Sequence, residues 1–170
     1  MQTHYKIAKG EIGVTEVIGE GDNPRVLEYF KKVGHSWVKE DSTAWCAAFV
    51  GWCLEMAGIK SSRKLNARSY LTIGKRVTKP QEGDIVVFWR DSKTSWKGHV
   101  GFYAGETDTA IKVLGGNQSN MVQISEYPKY RLLEYRRVDS KLETVKVDNY
   151  LTIKKRERIK ALIIKLTNLL

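Results

Sequence analysis

The sequence predicts an α+β domain, with helices first and an antiparallel meander after them, on three observations. Up to Gly58 the apolar residues recur at helical spacing. From Asp84 onward they fall in short runs divided by Gly, Asp and Pro turns. The 170-residue length suits one domain with a sizeable core and a short appendage. Hydrophobic content of 42% and charged content of 28% are ordinary for a folded, water-exposed domain.

Each element has its own local signal. Tyr5 to Glu16 reads as a short helix broken by Gly10 and Gly13. Asn23-Pro24 places an N-cap before Pro at the first helical position, and Val26, Leu27, Phe30 and Val33 mark that helix's buried face. A central helix is expected from Ala44 to Ala57, apolar almost all round, with Ser42 or Thr43 as its cap and Gly58 as its stop. Asn66 to Gly74 reads as one more short helix. Strands are expected at Asp84 to Trp89, His99 to Ala104, Ala110 to Leu114, Val122 to Ser125 and Leu132 to Val138.

The chain divides into residues 1–138, the main folded domain, and a basic extension, residues 139–170. From Leu151 onward, Ile153, Ile159, Leu162, Ile163, Leu166, Leu169 and Leu170 share one helical stripe, with Lys and Arg over much of the rest. A basic amphipathic C-terminal helix over 151–170 is therefore expected, packed on the domain or on a second copy, or set against an anionic envelope or membrane surface. The net charge of +10 draws the protein to polyanions. No nucleic-acid motif accompanies that charge, and no nucleic-acid partner is expected. No run approaches the ~20 apolar residues of a membrane span. Met1 to Gly10 lacks the apolar core of a secretory signal, so synthesis in the cytosol without such a signal is expected.

Two cysteines and three histidines carry most of the chemistry. Cys46 and Cys53 lie seven apart on the central helix, roughly 10 Å at ~1.5 Å per residue, too far for a disulfide. Cys46 falls in the first turn, where free N–H groups and the helix dipole favour a thiolate; Cys53 falls in the apolar interior. His4 sits near the terminus and His35 in a loop. His99 lies on a strand between Gly98 and Gly101, where glycine permits close approach. A thiol and an imidazole on separate elements, joined by folding, are the groundwork of a thiol hydrolase. Asn117, after Gly115-Gly116, is the first side chain beyond that hairpin able to accept from the imidazole N–H. Neither HExxH nor CxxC occurs, so no metal and no cofactor are expected.

Taken together and in order, several segments resemble a known family. They are Asn23-Pro24-Arg25, Trp45-Cys46-Ala47-Ala48-Phe49-Val50, Ala67-Arg68-Ser69-Tyr70-Leu71, Pro80 to Phe88, Gly98-His99-Val100-Gly101-Phe102 and Gly115-Gly116-Asn117-Gln118. Gly13 through Val138 resembles the CHAP group of the NlpC/P60 papain-like superfamily, and within it a phage- and prophage-associated, endolysin-like subfamily. The resemblance implies a papain-like α+β fold. It also implies a peptidoglycan hydrolase acting at the cell wall, cleaving an amide bond through a thioester. On that pattern Cys46 is the nucleophile, His99 the base and then acid, and Asn117 the orienting group. Many members carry a glutamate just before that asparagine, where this chain has Gly115 and Gly116, so Gln118 stands as the substitute. Trp45, Trp89, Trp96 and Gln118 are the candidates for lining the substrate groove, with a core place equally open to Trp45 and Trp89. Amidase and endopeptidase both fit. The rival readings are a non-catalytic wall-binding or phage structural module of the same fold, and a basic polyanion- or membrane-binding protein.

Overall fold

The computed structural model describes residues 2–138 and, beyond them, Glu157. The extension 139–170 and its expected amphipathic helix otherwise lie outside the described residues. Three helices come first: α1 (Thr3–Gly10), α2 (Pro24–Lys32) and α3 (Cys46–Met56). A 3-10 helix, Ala67–Thr72, leads into the strands β1 (Lys75–Val77), β2 (Ile85–Trp89), β3 (Gly98–Glu106), β4 (Ala110–Gln118), β5 (Met121–Pro128) and β6 (Leu132–Arg137). All neighbours in the sheet are antiparallel, in the order β1-β6-β2-β3-β4-β5. The helix-then-meander α+β arrangement is thus present. Strand β1, three residues long and largely exposed, carries no alternation and was not legible.

The sheet's alternation sorts its residues onto two faces. Ile85, Val87, Val100, Phe102 and Leu114 join the helices in the main core. Val86, Phe88, Ile111, Val113 and Tyr135 form a second cluster on the other face. α3 lies at the centre of the main core, with Ala47 through Leu54 all buried. Both sides of the helix meet protein, which is why its sequence is apolar all round. No helix among the described residues is long and apolar enough to cross a membrane.

Several local expectations change in detail. Asn23 caps α2 as expected, its Oδ1 accepting from the Arg25 N–H at 2.8 Å, but Tyr29 is fully buried and Leu27 only half-buried. α1 starts at Thr3, so His4, though near the terminus, is buried in the helix, with Nε2 2.8 Å from the Gly83 carbonyl. Neither Ser42 nor Thr43 caps α3. The N-cap is Trp45, without a side-chain bond, and the helix begins at Cys46 itself. The preceding loop is set by tertiary bonds instead. The buried Asp41 carboxylate accepts the Val17 and Asn23 N–H groups, each at 2.8 Å. Strand β4 continues four residues past Leu114 because Gly115 and Gly116 stay in the sheet. The turn follows at Ser119 and Asn120, both at positive φ, the pairing of a tight hairpin.

Candidate active site

The close approach of α3 to β4 needs glycine. A Cβ on Gly116 would lie 2.4 Å from the Trp45 ring and 2.7 Å from Phe49 Cβ. A Cβ on Gly115 would come within 3.0 Å of Gln118 Oε1 and 3.3 Å of His99 Nε2. The double glycine is therefore a packing requirement of the site rather than a turn. It lets the start of α3 sit beside the strand that follows the histidine strand.

That contact brings Cys46 and His99 to one open cleft of about 230 Å³, also lined by Asn66, Arg90, Trp96 and Asn117. The β3–β4 ladder pairs Phe102 with Leu114 through Glu106 with Ile111. Ahead of that point the Val100 N–H is directed at the Cys46 sulfur. Burial pushes the Cys46 thiol up. The Val100 N–H, the positive Arg90 and the N–H groups of Ala47 and Cys46 itself oppose that shift without cancelling it. Cys46 is half-buried, whereas Cys53 is fully buried and its thiol is pushed much further up, as suits an inert core group.

His99 is almost wholly enclosed, stacked on Tyr127 at 4.8 Å between ring centroids. Burial pushes its pKa down to about 4; Arg90 lowers it as well, and a bond to Gln118 opposes them. At neutral pH the imidazole is therefore uncharged. Gln118 fixes its tautomer. The Gln118 amide nitrogen donates to the Val113 carbonyl at 3.1 Å and the Gln123 carbonyl at 2.6 Å. Its Oε1 is thus the atom left to face His99 Nε2, at 3.1 Å. Since Oε1 can only accept, Nε2 carries the hydrogen, and Nδ1 is left with a lone pair for a proton.

Here one residue assignment changes. Simple alternation along β4 puts Val113, Gly115 and Asn117 on the face of His99, which points to Asn117 as its partner. The β4–β5 register shifts between Gly115 and Gln118, and Asn117 adopts φ 53°. That bulge moves the next side chain into place. Gln118, 3% exposed, holds the imidazole from within the fold and does not line the cleft, while Asn117 does.

The tryptophans separate in the same way. Trp45 is 0% exposed, packed on Tyr29 and Phe49, with its indole N–H on Glu16 at 2.6 Å, so it is no groove residue. Trp89 donates to the Tyr130 carbonyl and lies under Arg131. Trp96 is 70% exposed and lines the cleft. It rides on the Asp91–Lys97 loop, which Arg68 pins by donating to the carbonyls of Ser92, Lys93 and Lys97 at 2.9–3.1 Å. The parts played by Arg90, Arg68, Val100 and Tyr127 were not read from the sequence, although Arg68 and Val100 lay in segments already singled out.

A half-buried thiol at an uncapped helix start, beside a neutral imidazole with a free Nδ1, is the equipment for nucleophilic attack on an acyl carbon. Comparison with known families agrees with that class: residues 38–117 match the model of the CHAP domain. The matched span runs from the loop before α3 through Cys46 and His99 to Asn117, and the mixed helix and antiparallel-sheet architecture is consistent with it. The match supports peptidoglycan hydrolysis of the CHAP type in general. No curated protein matches the chain.

Proposed function

We propose that this protein is an endolysin-type peptidoglycan hydrolase of papain-like fold that cleaves an amide bond of the cell wall through a thioester on Cys46. The observation that carries the reading is the single cleft holding the Cys46 thiol and a His99 whose tautomer Gln118 fixes. His99 Nδ1 takes the thiol proton as the sulfur attacks the carbonyl carbon. The C–N bond then breaks, and the imidazolium gives its proton to the leaving amine. Water, deprotonated by His99, hydrolyses the thioester and restores the thiol. The Cys46 N–H, unused within the helix ladder at its first residue, is one donor for the oxyanion. The protein would meet its substrate at the wall.

Digestion of purified sacculi by wild type and Cys46→Ala, with products identified by mass spectrometry, tests this. New fragments are expected from the wild type alone. Their masses separate an amidase, which cuts between muramic acid and L-alanine, from an endopeptidase cutting within the peptide. Fragments from both proteins would overturn the thiol mechanism. No fragments from sacculi of several wall types would point to a non-catalytic module.

A further inference from the structure

The cleft carries a cation that the chemistry above does not use. Arg90 follows the last residue of β2, and its N–H donates to the Lys97 carbonyl at 3.2 Å, which fixes its backbone beside the cleft. Its side chain is exposed and lines the same cleft as Cys46 and His99. Among the described residues no carboxylate pairs with it. Its neighbour Lys97, in contrast, is held by Asp91 at 3.1 Å. Among the described residues no carboxylate lines the cleft beside Arg90.

The guanidinium acts on both reacting groups: it favours the thiolate of Cys46 and disfavours the imidazolium of His99. A carboxylate bound on it gains a two-pronged, charge-assisted contact and eases formation of the imidazolium. We propose that Arg90 docks a free carboxylate of the substrate beside the scissile amide, so that the preferred substrate is a peptide segment with an unamidated carboxylate next to the bond that is cut. This rests on reading Cys46 as an acyl-attacking thiol, and it adds the selectivity of the site.

Two measurements test it, and the first needs no turnover. Cys46 is alkylated with iodoacetate, which carries a carboxylate, and with neutral iodoacetamide, and the labelled peptide is followed by mass spectrometry. With either reagent the thiol proton leaves to solvent, an S–C bond forms and iodide departs, so the ratio of the two rates isolates the effect of the carboxylate. Because Arg90 is exposed, Arg90→Gln is expected to fold. It should lower the iodoacetate/iodoacetamide ratio about threefold or more relative to wild type, and Arg90→Glu further. Arg90→Lys should keep part of the preference. An unchanged ratio in Arg90→Gln and Arg90→Glu overturns the proposal, whether or not the protein cuts peptidoglycan.

The second measurement compares cleavage of synthetic stem peptides whose glutamate carboxylate is free or amidated. Wild type should favour the free form, and Arg90→Gln should cleave both at similar rates. Equal cleavage of the two forms by wild type overturns the proposal and leaves the hydrolase reading intact. Failure of wild type to cleave any peptide counts against the hydrolase reading, and the alkylation ratio then decides on Arg90 alone.

Discussion

At the floor of the cleft Cys46, His99 and Gln118 are held by packing and by hydrogen bonds closed within the fold, as in the Gln118 amide shared between two carbonyls and one imidazole. At the rim, Trp96 rides on a loop pinned through one side chain, that of Arg68. The floor has no slack: a single added carbon on Gly116 meets the Trp45 ring. The rim is solvated, and its charged groups sit in water, where each contact counts for little. The contrast teaches that atoms which react are fixed by burial, whereas atoms that choose the substrate are left adjustable. Damage to the floor should therefore appear in kcat, and damage to the rim in KM.

The sharpest test of the floor is Gln118. Gln118→Ala leaves His99 Nε2 without its acceptor and the Val113 and Gln123 carbonyls without a side-chain donor. The imidazole then loses its fixed tautomer, and kcat should fall about 10²-fold or more. Stability should fall by roughly 1–3 kcal/mol for the unsatisfied groups. Asn117→Ala should cost less on both counts. Steady-state kinetics with urea unfolding of the two variants checks the order; the reverse order would make Asn117 the orienting group after all.

Acid probes the same floor without mutation. An unfolded histidine takes up its proton near 6.5, whereas buried His99 resists it down to about 4. Between those values the unfolded chain binds the extra proton, so the stability gained by burying a neutral imidazole is complete above pH 6.5 and drains away as pH falls. The slope is about 1.4 kcal/mol per pH unit, or roughly 3 kcal/mol over the window. His4, whose burial also lowers its pKa, adds in the same direction. Urea midpoints from pH 7 to 4 should fall steeply for wild type and less steeply for His99→Asn. Parallel curves would mean that His99 titrates normally.

The sequence and the structure agree best where one residue has to do one thing. Cys46 at a helix start, His99 between glycines and Asn23-Pro24 at a helix N-terminus were legible because each is a local pattern with few alternatives. Gln118 stood only as the substitute for Asn117, since a bulge changes which side chain faces His99 while leaving the residues themselves unaltered. Trp45 stood open between groove and core for a related reason: its position beside Cys46 suggests a groove, but Gly116 lets its ring pack inward. Ser42 and Thr43 fit the chemistry of a cap, yet the Asp41 bonds decide the loop. Arg90 carried no signal, because a lone arginine in a polar stretch reads as solubility until the fold puts it beside a thiol; Arg68 lay in a resembling segment, but nothing there showed that it would pin a loop.

The smallest expected effect belongs to the rim and is the one that would most sharpen the contrast. Arg68→Ala removes three donors from the carbonyls of Ser92, Lys93 and Lys97 and leaves the floor untouched. The loop should open more often, and trypsin should cut after Lys93 sooner than in wild type. With Trp96 no longer held over the cleft, KM should rise about fivefold, near 1 kcal/mol, while kcat stays within about twofold. Arg68→Lys should not restore the loop, because a single ammonium cannot span three carbonyls as a guanidinium fork does. If kcat fell as far as KM rose, Arg68 would be positioning the reacting atoms as well, and the rim and floor would be one mechanical unit.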